Sequence, residues 1–466
     1  MSRALGGIEQ YCYYRNVFNY YHNIVSLTTY SSDVQPPLLY EALKVLLANE
    51  NGFAINTSDH GSKVGPLDKI LYGDLVEYRT VPNFQPNVEI SALHDIRFPM
   101  DSAEPLWKLF VYNKRHVAFV TDHLICDGTA IINFQRLLLK YMNEVRSSKL
   151  ELVTPTPSSV VFDKSKIDEI VFPDPMESLI HAKAPFGYIV RTLTEHFAPS
   201  WIWNVFKKKR LGKYELTGRS VPIPYGVPPS LVTKLETVSL SKDQLDQLMK
   251  LGRSHNVRLT SIIMYVMTRS FEGIIEKYNQ SHDLFVHIPV NCRRFVDRNE
   301  VLSKQPRYSD QSGCFASSMG FNIPSKPLLR DEVDWDYIAA IQTELVNAIE
   351  AKETHSLVGM LNLVNIKGFV KQLGDGGKHF SGSCIEVSNV GFFAMNKEAK
   401  DGDFVVQDLW FSQTSGVTGS FVDVNVVGFE GGLRMTLSYD KALPWAGKVE
   451  KMAEAAESLF TKLIGE

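Results

Sequence analysis

The chain predicts an α/β protein built from two similar α/β sandwich halves. Its 466 residues exceed what one hydrophobic core usually organises. Helix-period and strand-period segments recur in a similar order in the first and last parts of the chain. Between them lies a Pro-rich stretch in which neither period is sustained. The division is therefore an N-terminal half over residues 1–149, a crossover over 150–234 and a C-terminal half over 235–466.

In the first half, residues 1–30 read as a Tyr-rich helix broken by polar residues. "PPLLYEALKVLLANE" (residues 36–50) is a helix, with Pro at its start, apolar spacing at Leu39, Leu43, Leu46 and Leu47, and Asn51-Gly52 as its stop. Leu106–Tyr112 and His116–Asp122 pair as a hairpin across Asn113-Lys114-Arg115. A helix follows Gly128, with Ile131, Phe134, Leu138, Tyr141 and Val145 on one face. The crossover holds "VTPTPSSV", "FPDPMES" and "VPIPYGVPPS" around one apolar stretch, "GYIVRTLTEHFAPSWIWNVFKKKR".

The second half opens with a helix capped by Ser241, then a turn at 256–260 and the buried helix "TSIIMYVMTRSFEGIIEKY". "DLFVHIPVNCRRF" is apolar on both sides and predicts a central strand. Strands follow in "SCIEVSNVGFF", "GDFVVQDLWFSQ", "FVDVNVVGFEGG" and "LRMTLSYD", the last two joined across Glu430-Gly431-Gly432. "WAGKVEKMAEAAESLFTKLIGE" closes the chain as an amphipathic helix.

Composition narrows the function. Hydrophobic residues make up 44% and charged residues 22%, with a net charge of −3, which favours neither nucleic acid nor an anionic surface. Five cysteines at wide spacings, with no CxxC, predict neither a disulfide framework nor a structural zinc site and fit a reducing compartment. The N-terminus lacks the apolar run of a secretory signal, and no window of about 18 apolar residues predicts a membrane span.

The chemistry points to "DHLICDGTA". A histidine at a strand end can take a proton from a hydroxyl or an amine if a loop exposes it in one orientation. Asp127 could hold that loop through a buried ion pair. Gly128 would give the turn freedom for positive φ before the helix, and Thr129 would cap it. Cys126 is an alternative nucleophile, but no third group to orient a base is visible, so it reads as apolar packing beneath the loop. His94-Asp95 and the pair His282/His287 match no metal-ligand spacing.

The string His123-x-x-x-Asp127-Gly128 resembles the shared mark of the CoA-dependent acyltransferases of the chloramphenicol acetyltransferase fold. "NVRLTSIIMYVMTRSF", "IPVNCRRF", "VSNVG" and "GGLRMTLSYD" are similar to further segments of that superfamily. Within it, "RALGGIEQYCYYRN" and the Tyr-rich stretch after it look like the fungal alcohol acetyltransferase family. The plant Asp-Phe-Gly-Trp-Gly box is absent. Asp122 stands where peptide-forming condensation domains usually carry a second histidine.

The resemblance implies two pseudo-symmetric halves with an active-site tunnel between them. It implies direct acetyl transfer from acetyl-CoA, a co-substrate, with no bound cofactor or metal. His123 would be the general base, and Asp127 the orienting residue paired with Arg293. Ser388, Asn389 or a backbone N–H would face the oxyanion. The acceptor would be a small or medium-chain alcohol. Two alternatives stay open: the amine of a long-chain, sphingoid-like amino alcohol, which the shorter N-terminus keeps alive, and a non-catalytic binding relative. The expected location is cytoplasmic. Peripheral contact with the endoplasmic reticulum or lipid droplets would use the basic run 207–210 or the terminal-helix stripe Val449, Met452, Ala456, Leu459 and Leu463. A solvated face and core packing are the plainer uses.

Overall fold

A computed structural model of the chain describes residues 2–148, 150–197, 209–219, 221, 229–275, 282–374 and 383–465. Its strands form two main sheets. The first has five strands, in the order Val406–Gln413, Ile24–Tyr30, His116–Thr121, Trp107–Tyr112 and Val76–Arg79. All neighbours are antiparallel except the last pair. The second has six: Thr233–Ser241, Gly432–Asp440, Val422–Phe429, Ile385–Phe392, Asp283–Asn291 and Ala316–Pro324. Here Ile385–Phe392 runs parallel to both of its neighbours.

Each sheet is covered by amphipathic helices. Gly128–Ser147 packs against the first sheet, and Pro36–Asn49 packs on that helix. The expected stripe of Ile131, Phe134, Leu138, Tyr141 and Val145 is buried there. Lys242–Ser254, Leu259–Ile274 and Val449–Gly465 pack together over the second sheet. Ser241 caps the first of these through a reciprocal pair with Gln244. Of the terminal-helix stripe, Val449, Met452, Ala456 and Leu463 are buried and Leu459 packs beside them, so that face is occupied by the core. Among the described residues no helix is long and apolar enough to cross a membrane.

Several elements differ from the sequence reading. Residues 24–30 form a strand inside the first sheet. "IVSLTTY" is β-branched and almost wholly buried on both faces, and those properties override the helical reading. Strand Val406–Gln413, which the division assigned to the second half, pairs with Ile24–Tyr30 and completes the first sheet. Strands Thr233–Ser241 and Ala316–Pro324 carried no separate signal, nor did helices Trp335–Glu350, Glu353–Leu361 and Ile366–Gly374. Lys207 and Lys208, residues 198–206 and most of "VPIPYGVPPS" lie outside the described residues; Lys209 and Arg210 are exposed.

One irregularity positions the site. Strands Asp283–Asn291 and Ile385–Phe392 pair only at Val286–Ile385 and His287–Glu386, then part. The N-terminus of helix Gly128–Ser147 enters where they diverge. Asn291 Nδ2 donates to Thr129 Oγ1 at 3.1 Å on one side. On the other, a methyl placed on Gly128 would lie 2.5 Å from Val390 Cγ1. Gly128 does not have positive φ. The expectation of a left-handed turn gives way to a different reason for glycine: close approach of the helix start to the strand beside it.

Candidate active site

His123 follows strand His116–Thr121 by two residues. The intervening Asp122 bends the loop: its Oδ1 accepts the Leu124 N–H at 2.8 Å and its Oδ2 accepts Asn16 Nδ2 at 2.7 Å. Burial pushes the Asp122 carboxyl up, and these two donors oppose it. Leu124, Ile125 and Cys126 are buried beneath the loop, while His123 is half-buried.

Asp127 is the cap of the motif helix. Its Oδ1 accepts the N–H groups of Thr129 (3.0 Å) and Ala130 (2.9 Å), so the helix start is satisfied by the aspartate and not by Thr129. Its Oδ2 turns to the other half of the molecule. There it accepts Arg293 Nη1 at 2.5 Å and the Phe315 N–H at 2.8 Å.

Arg293 lies in a short turn, Cys292–Phe295, just past strand Asp283–Asn291. Its remaining donors reach the carbonyls of Asp310 (2.7 Å), Ser312 (3.2 Å) and Gly313 (2.9 Å). Both charged side chains are almost wholly buried. The pair thus clamps the segment Asp310–Phe315 onto the motif loop, where the Gly313 N–H also donates to the Ile125 carbonyl at 2.7 Å. Gly313 has φ of +89°, a conformation that admits glycine and few other residues.

That clamp brings Cys314 to the histidine: its Sγ lies 3.5 Å from His123 Nδ1. The Tyr21 ring meets the imidazole edge-on, with centroids 5.8 Å apart. Behind Tyr21 runs a polar chain. Tyr21 donates to Gln413 Oε1 at 3.3 Å, and Gln413 Nε2 donates to Glu386 Oε1 at 2.6 Å. The Arg15 guanidinium covers the Tyr21 ring at 3.8 Å.

Burial raises the Glu386 and Asp423 carboxyls, against the pull of Gln413 and Arg15 on Glu386. For His123, burial disfavours the imidazolium, but Cys314 and Asp127 outweigh it and the net direction is upward. With its Nδ1 beside Cys314, the ring has Nε2 left for an acceptor proton.

The remaining sequence candidates fall as follows. Asn389 Nδ2 donates to Thr260 Oγ1 at 3.1 Å and its Oδ1 accepts the Gly391 N–H at 3.0 Å, at an irregularity in the strand. Ser388 is buried on the same strand, two residues from Val390, which packs on the motif glycine. Cys126 is fully buried, and burial pushes its thiol far above the usual range, which leaves it no thiolate. His94 is a satisfied core residue held by Asn23 Oδ1 (2.9 Å) and Ser412 Oγ (2.8 Å). His282 pairs with Glu272.

Sequence reasoning did not single out Cys314, Tyr21, Glu386 or Gln413. They come from four distant segments, and only the fold assembles them. A cavity lined by Leu124, Ile125, Cys314 and Phe315 lies behind the loop, and its walls do not include His123.

Two sandwiches joined by a strand from the later half, with a His-x-x-x-Asp-Gly loop at their seam, define an acyltransferase of the chloramphenicol acetyltransferase-like fold. The sequence profile of the alcohol acetyltransferase family matches residues 68–455, and the chain belongs to that family. It is an acetyltransferase.

N-acetyltransferase SLI1 of Saccharomyces cerevisiae is 22% identical over 472 residues, covering 95% of this chain and 96% of the yeast protein. Trichothecene 15-O-acetyltransferase TRI3 from Fusarium sporotrichioides has a similar fold, with a TM-score of 0.66 at 11% identity over 99% of this chain and 94% of its own. So has the first condensation domain of the calcium-dependent antibiotic synthetase, with a TM-score of 0.63 at 12% identity over 100% and 97%.

Proposed function

We propose that this enzyme moves acetyl directly from acetyl-CoA to the hydroxyl of a small or medium-chain alcohol, with His123 as general base. The carrying observation is the half-buried imidazole on a loop that Asp127 and Arg293 pin from both halves. Substrates would meet in a channel along the seam. His123 Nε2 accepts the hydroxyl proton as the oxygen attacks the thioester carbonyl. The carbon–sulfur bond then breaks and the proton passes to the CoA thiolate, giving ester and free CoA. No acyl-enzyme forms. Asp127 and Arg293 are positioning residues, and the Ser388 hydroxyl is the proposed donor to the oxyanion.

An amine acceptor is the second reading. It is favoured by the near full-length likeness to a protein named an N-acetyltransferase. The five free, buried cysteines support a cytoplasmic location. Exposed Phe186 and Val190 on helix Phe186–Phe197 support peripheral contact with a membrane or lipid droplet.

The test is CoA release by purified protein given acetyl-CoA and a panel of short alcohols, longer alcohols and sphingoid amines. His123→Ala should remain folded by circular dichroism and lose turnover. An unfolded or fully active variant would refute the assignment of the base. Turnover confined to the amines would select the second reading.

A further inference from the structure

The histidine has a second set of neighbours that acetyl transfer does not require. Cys12, from helix Gly7–Val17, and Cys314, from the clamped segment of the other half, both lie beside it. One ring nitrogen of His123 and the two Sγ atoms all lie within 4.8 Å of one another. Both cysteines are buried and neither is in a disulfide.

Two thiols and an imidazole are the donor set of a thiophilic cation. In a tetrahedral zinc site, with Zn–S about 2.3 Å and Zn–N about 2.0–2.1 Å, the sulfur–nitrogen edge is about 3.5 Å. The Cys314 Sγ to His123 Nδ1 distance is 3.5 Å. The cation must also fit the local charge. Two thiolates neutralise a divalent ion, so the nearby Arg15 does not repel the assembled centre, and the two thiol protons leave to solvent as the metal enters.

We propose that Cys12, Cys314 and His123 form an inhibitory site for Zn²⁺. Three protein ligands leave a fourth position for water. A neutral imidazole has one free lone pair. When a metal takes it at Nδ1, the ring proton sits on Nε2, which can then accept nothing from the substrate. The binding rests on geometry alone, whereas the silencing rests on His123 acting as the base.

The test uses full-length protein, reduced and stripped with a chelator. One equivalent of Co²⁺ should produce the visible bands of a tetrahedral centre and a sulfur-to-metal charge-transfer band. One equivalent of Zn²⁺ should displace it, stop CoA release, and be reversed by chelator. Cys12→Ala should match the wild-type rate in chelator and need at least about tenfold more Zn²⁺ for half-inhibition, since even outer partners of a metal site cost 10–100-fold in affinity. Absence of the charge-transfer band, or a Cys12→Ala protein as sensitive as wild type, overturns the site. A band with no loss of turnover overturns the silencing and, separately, the assignment of His123 as base.

Discussion

The sulfur of Cys314 sits against one nitrogen of His123, and its effect should be visible in the pH dependence of turnover. As the proposed general base, His123 works unprotonated, so kcat/KM should climb with pH as the imidazolium loses its proton. Because the His123 pKa is raised, the midpoint should lie above the ordinary value of about 6.5. Cys314→Ala removes an upward influence, so the midpoint should move down. An unchanged midpoint would mean that the thiol only fills space. Asp127 gives a different signature. Asp127→Asn leaves Arg293 buried without a counter-charge, and breaking such a pair costs about 3–5 kcal/mol, to be read in denaturant unfolding. The His–Asp–Gly string was legible in sequence because its three residues are close in the chain. Cys314 and Tyr21 were not, since their approach depends on the clamp and on the strand order.

At the level of elements, the motif helix starts where two parallel strands separate, and glycine is required there for space. Gly128→Ala would place a methyl 2.5 Å from Val390 Cγ1 and 3.0 Å from Phe411 Cζ. The stiff Val390 cannot turn aside, so overpacking should cost about 1–3 kcal/mol and lower turnover by displacing the loop. Val390→Ala in the same chain should recover much of both, and a double variant no better than the single one would refute the contact. Local patterns announced elements with one apolar face and a clear cap, such as Pro36–Asn49 and Lys242–Ser254. They failed for Ile24–Tyr30, buried on both faces, where a short apolar run has no period to separate strand from helix.

For the whole molecule, the two-half architecture was readable from the recurrence of patterns, but the exchange of a strand was not. Nothing in "VVQDLWFSQ" says which sheet it joins. The pairing of Val406–Gln413 with Ile24–Tyr30 means that the first sheet lacks an edge without the later half. A fragment ending at residue 232 should therefore aggregate, and co-expression with residues 233–466 should restore a soluble, active complex. A soluble monomeric fragment on its own would contradict this.

The same strand governs the order in which the protein can mature on the ribosome. Chain growth runs from the N-terminus, and the row of N–H and C=O groups along Ile24–Tyr30 stays open until about residue 413 has emerged. The opening layer cannot close before that late strand is made, so a nascent copy must be shielded, or folds slowly, in the meantime.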